Sequence, residues 1–228
     1  MKSRNAILSI TAICAFTAGL LSAQRERFDH EVRADFFAGF SGDKEALERG
    51  MKKCEEILAV NPKHAEALVW HGAGTYFSAG HAFRSGDREK GMELAQRGMK
   101  EMDEAAALEP DSIGVRIPRG AAYFTATRNM PPQVARPLIE KAVSDYSHVE
   151  DMQKAYFEQL GTHPRGELLF GLADGYARLG DEEKARSYFE RMQKELPESA
   201  YAKRAATWLA TKSLPANQTG CIGCHTGK

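Results

Sequence analysis

Three tetrads of one kind punctuate this chain: Gly42-Asp43-Lys44-Glu45, Gly86-Asp87-Arg88-Glu89 and Gly180-Asp181-Glu182-Glu183. In each, the glycine can take the left-handed conformation that ends one helix, and the aspartate can accept hydrogen bonds from the free N–H groups that open the next. The glutamate then complements the dipole of that second helix. The stretches between the tetrads carry apolar residues at helical spacing, and they show no sustained alternation of the kind that marks strands. An all-α chain of helical hairpins is predicted. Phe28, Val32, Phe36 and Phe40 recur every four residues and predict the core-facing stripe of a first helix. Tyr201, Ala205, Trp208 and Leu209 predict the inward face of a last one. Pro62, Pro110, Pro164 and Pro197 close helices or open the next hairpin.

The stretch Leu169 to Pro197 places Leu169, Leu172, Ala173, Tyr176, Gly180, Ala185, Phe189 and Pro197 on the positions of a tetratricopeptide repeat, which it resembles. Asn61-Pro62-Lys63-His64-Ala65-Glu66-Ala67-Leu68 looks like a junction between two such repeats, with Gly72 at the small-residue position. The resemblance implies a right-handed solenoid of helical hairpins that ends in a capping helix and binds other proteins through its surface. The other units depart from the pattern. Successive tetrads lie 44 and then 94 residues apart (86 − 42 and 180 − 86), so the unit is longer than the family's roughly 34 residues, and a HEAT-like helical array is the alternative. Val149, Met152, Tyr156, Phe157 and Leu160 predict an extra helix between the third and fourth hairpins, and Pro118 and Pro137 are expected to begin helices late or to kink them.

Beyond this body, residues 213–228 form a tail in which a linker, Ser213 to Gly220, leads to Cys221-Ile222-Gly223-Cys224-His225. Cys-x-x-Cys-His is the attachment signature of a c-type haem: two thiols add to the porphyrin vinyl groups, and the adjacent histidine ligates the iron. Cys221 and Cys224 are thus the expected attachment residues of one covalent haem c, and His225 is its expected metal ligand. A redox pair or half of a zinc site are the competing readings. A redox pair normally opens a helix in a βαβ unit and zinc needs four ligands, while the only other thiol outside the leader is Cys54.

Residues 1–23 supply a second signal. A basic start at Lys2 and Arg4, an apolar run from Ala6 to Leu21 and a small residue at Ala23 read as a secretory signal peptide. Attachment of this kind takes place outside the bacterial cytoplasm, so the expected location is periplasmic or extracellular. The chain has 31 basic and 31 acidic residues, and loss of Lys2 and Arg4 leaves 29 against 31, a balance that implies no nucleic-acid partner. No membrane span is expected after cleavage, and residues 24–212 should form the helical domain.

Cys54 falls in a pattern with Met51, Ile57 and Leu58 and is expected to be a small buried apolar residue. His30, His64, His71, His81, His148 and His163 and the methionines after the leader are the possible sixth ligands to iron. His71 and His81 stand out by their aromatic neighbourhood of Trp70, Tyr76, Phe77 and Phe83. No hydrolase triad, phosphate loop or zinc-protease motif can be singled out, so an enzymatic role has no independent support.

The resemblance to cytochromes c stops at Cys221, Cys224 and His225, and the repeat body is expected to cover the ring. The expected function is electron transfer and protein assembly by an exported mono-haem cytochrome on a tetratricopeptide-like scaffold. A haem-dependent subunit of a homopolymer or filament is one alternative, and a haem-based sensor or peroxidase another. The expectation favours a haem docked into a neighbouring copy, with docking onto the same chain also sterically possible.

Overall fold

The computed structural model describes residues 27–215. The leader expected at 1–23 and the attachment residues Cys221, Cys224 and His225 lie outside the described residues. Among the described residues there are nine α-helices and no strand: α1 (Phe28–Phe40), α2 (Lys44–Val60), α3 (Ala65–Arg84), α4 (Arg88–Leu108), α5 (Ile113–Ala126), α6 (Pro132–Gln153), α7 (Thr162–Leu179), α8 (Glu182–Glu195) and α9 (Ala200–Thr211). Two single 3-10 turns, Thr127–Asn129 and Phe157–Gln159, follow α5 and α6. No described helix is long and apolar enough to cross a membrane.

The tetrads fold as their chemistry dictates. Gly42, Gly86 and Gly180 have φ of +114°, +88° and +85°, a region open to glycine at little cost. The next residue caps the following helix each time: Asp43, Asp87 and Asp181 accept from the backbone N–H of Ala46, Lys90 and Lys184 at 3.0, 2.9 and 3.1 Å. These links join α1 to α2, α3 to α4 and α7 to α8. The remaining pair, α5 and α6, closes differently. The Thr127 hydroxyl donates to the Tyr123 carbonyl at 2.7 Å, a 3-10 turn follows, and Pro131 and Pro132 start α6 with φ already set for a helix. The missing tetrad at this link explains the 94-residue interval between the second and third tetrads.

Each helix packs on its sequence neighbour within a pair, and α3 also touches α1 and α5, while α5 touches α7. Helices α1, α3, α5 and α7 therefore follow one another along one wall, while α9 packs on α8. The closest approach is between α3 and α4, where a Cβ on Gly98 would lie only 2.6 Å from the Gly72 carbonyl oxygen, so both positions need glycine for the backbones to meet. The predicted stripe of α1 is buried at Phe28, Val32 and Phe36. At the other end Trp208 of α9 stacks on Phe189 of α8 with ring centroids 4.4 Å apart and covers the last pair.

Between α4, α5 and α6 lies a buried charge cluster. Asp145 is fully buried and accepts from Arg116 at 2.7 Å and from Arg119 through two bonds of 2.7 and 2.6 Å. Arg119 donates onward to Asp103 at 3.1 Å.

Two expectations need correction. The extra helix predicted from Val149 to Leu160 does not exist as a separate element. Val149 and Met152 belong to the end of α6, which runs to Gln153, and Phe157 is buried by a single 3-10 turn. The apolar periodicity continued through that turn because Phe157 and Leu160 pack on the same core as α6. Of the two alternatives for Pro118 and Pro137, a late helix start is the one overturned, since both lie inside helices. Each is the sixth residue of its helix, and the cost is the bond to the carbonyl four residues earlier, on Gly114 and Gln133.

Candidate functional site

Four helices, α1, α3, α5 and α7, enclose a cavity of about 750 Å³. Its walls are mainly apolar, carried by Phe37, Trp70, Phe77, Ile117, Met130 and Leu168. The volume lies within the roughly 300–1,000 Å³ of cofactor and small-molecule sites. The side chains that make this wall are inward-facing residues of separate helices, so the apolar stripe of each helix is shared between the core and the cavity. Trp70 is 3% exposed, and its indole N–H has no hydrogen-bond partner among the described residues. A buried donor of this kind costs free energy until an acceptor reaches it.

Charge enters the cavity at its rim. Arg27, Arg33 and Arg84 line it together with two carboxylates, Asp29 and Glu167. Asp29 is paired with Arg27 at 3.1 Å and lies 3.7 Å from Arg33, whereas Arg84 makes no ion pair among the described residues. Burial pushes the Glu167 carboxyl up to about 7, with Arg33 opposing the rise. His163 stands one helical turn before Glu167. Its Nδ1 lies 3.0 Å from the Tyr201 hydroxyl and its Nε2 3.7 Å from Glu167. Desolvation and the Arg33 charge hold the His163 imidazole below its ordinary value. Arg33 thus acts across the cavity, from α1 on two groups of α7.

No family model, curated protein or solved structure matches this chain.

Of the histidines considered as iron ligands, the structure brings His163 to the cavity wall. His71, favoured by its aromatic neighbours, is buried between α3 and α4, where its Nδ1 pairs with Glu101 at 2.6 Å. His81 is exposed, stacks edge-on against Phe77 and lines a separate depression with Lys44 and Met51. His64 caps α3 by accepting from the Ala67 N–H at 3.2 Å, and His148 pairs with Asp111 at 2.7 Å. Met130 is the methionine on the cavity wall among the described residues. Cys54 is fully buried and burial pushes its thiol up to about 12, so it is an inert apolar filler. No group of three or more His, Cys, Asp or Glu able to hold a metal occurs among the described residues.

Glu167 gives a measurable consequence. A carboxyl whose value in the folded chain exceeds its ordinary 4.5 favours folding while it is protonated; that contribution is complete below about 4.5 and is lost as the pH rises through about 7. Glu167→Gln should therefore be more stable than wild type by about 3 kcal/mol at high pH and nearly equal to it in acid. Urea denaturation at about pH 4.5 and about pH 8 checks this, and equal differences at both would place the carboxyl in contact with solvent.

Proposed function

We propose that this chain is an exported mono-haem c-type protein that carries electrons, in which a tetratricopeptide-like solenoid of helical hairpins bears one covalent haem on Cys221 and Cys224, with His225 as an axial ligand. The observation that carries the reading is Cys221-Ile222-Gly223-Cys224-His225, whose spacing suits two thioethers and one imidazole on a single porphyrin. The residues of the described body are compatible with such a group. The cavity is large and apolar enough for a flat macrocycle, and its three guanidiniums suit propionate groups. When bound, the haem supplies one-electron iron chemistry; the protein's part is to hold it and to set its surroundings. The repeat reading is supported by Leu169, Leu172, Ala173, Ala185 and Phe189, all with no exposed surface, and by the left-handed Gly180 between them. The basic-apolar leader supports export to the periplasm or beyond.

Haem staining after denaturing electrophoresis tests the reading. Protein made in a host with the maturation machinery should give a stained band that survives acid-acetone extraction, and Cys221→Ala with Cys224→Ala should abolish it. His225→Ala should keep part of the stain and change the absorption spectrum, since attachment uses the sulfurs and ligation the imidazole. An unstained wild type removes the proposal.

A further inference from the structure

The cavity has features that nothing in the body itself uses. Its wall is mainly apolar, carried by Phe37, Trp70, Phe77, Ile117 and Leu168, and three guanidiniums, of Arg27, Arg33 and Arg84, line it as well. A ligand that is flat, apolar and dianionic at one edge matches both the wall and the guanidiniums.

The described chain ends within reach of this cavity. α9 starts beside the cavity: Tyr201 bonds His163, which lines the wall. From Tyr201 to Lys212 is eleven helical steps, about 17 Å along the axis. At that far end Lys212 is tied to Glu182 at 2.7 Å, and Leu214 packs against the core, so the departing chain is fastened to the body. From Leu214 to Cys221 is seven steps, which extended chain covers in about 23–25 Å. That contour length exceeds the length of α9, so Cys221 is within range of the His163 end of the cavity.

Resting on the haem reading above, we infer that the cavity between α1, α3, α5 and α7 is the seat of the haem carried on the same chain's Cys221 and Cys224, with Nε2 of His163 as the sixth ligand to iron. Nδ1–H of His163 then donates to the Tyr201 hydroxyl oxygen and fixes the ring, the usual support for a ligating imidazole. Arg84, without an ion pair among the described residues, and Arg33 line the cavity and are placed for the propionates. His71 and His81, on other faces, take no part. The copy-to-copy docking expected from the sequence becomes an outcome that the test can return.

The experiment uses the full chain matured with haem. Absorption spectra in both oxidation states are recorded for wild type, His163→Ala, His81→Ala and His148→Ala, with circular dichroism to confirm the fold and sedimentation velocity over a hundredfold range of concentration. Wild type should be monomeric and six-coordinate low-spin at every concentration. His163→Ala should keep its stained haem and its helicity, turn high-spin, bind carbon monoxide, and return to low-spin on addition of imidazole; the other two variants should match wild type. Ala122→Trp, which fills the cavity, should likewise keep the stain and lose the low-spin spectrum. A low-spin spectrum that persists in His163→Ala, or that is seen only in oligomers, overturns the inference alone. Absence of stain in wild type overturns the haem reading and the inference with it.

Discussion

Asp145→Ala should cost about 3–5 kcal/mol of stability, because it strands two guanidiniums in a site that water does not reach. Asp145 is fully buried, and the side chains of Arg116 and Arg119 are only 15% and 12% exposed. Removing the carboxylate leaves both charges with their desolvation cost and without its compensation, and Asp103 can take up only part of Arg119. Asp145→Asn keeps the volume but not the charge, and should recover less than half of the loss. The contrast is the exposed pair Lys52 and Glu56, at 76% and 64% exposure, where Glu56→Ala should change stability by less than about 0.5 kcal/mol. Urea unfolding followed by circular dichroism measures both. A loss below about 1 kcal/mol for Asp145→Ala would mean that water enters the cluster.

Trp208→Ala should be as damaging, by about 3–5 kcal/mol. The indole is 5% exposed, stacked on Phe189 and covered on its other side by the Lys212 ammonium 4.5 Å from the ring centre. Its loss uncovers Phe189, which has no exposed surface in the folded chain. The damage should begin locally, with hydrogen exchange accelerating in α8 and α9 before α3. Uniform acceleration across the chain would show that α9 is part of the central cooperative unit.

What was legible in the sequence was what neighbouring residues decide among themselves. Gly42, Gly86 and Gly180, each with its aspartate, need only a few residues of context to end one helix and cap another, and all three do so. The stripes of α1 and α9 were legible because one face of a helix is set by spacing alone. The α5–α6 link escaped because a threonine back-bond and two prolines do the work of the tetrad. The periodicity after Val149 misled because a 3-10 turn keeps Phe157 on the face that α6 had been using. Asp145 gave no signal, since its partners are 29 and 26 residues away in sequence and meet it only when α5 lies on α6. The cavity was invisible for the same reason: Trp70, Ile117 and Leu168 each read as core residues, and only their assembly leaves a space between them. His163 had no distinguishing neighbours in the sequence, because Tyr201, which orients it, is 38 residues on.

The reach of the Arg33 charge to the groups of α7 carries a consequence for how such a chain can change over generations. An array whose units touch only the next unit can gain or lose a copy by duplication or deletion, each new unit adding one interface. Here the first and fourth pairs share one chamber, and the charge of Arg33 reaches His163 and Glu167 across it. An inserted pair would part those walls and a deleted pair would remove one of them. The number of helical pairs is tied to the room they enclose, whereas a change in an outer helix or a turn leaves that room intact.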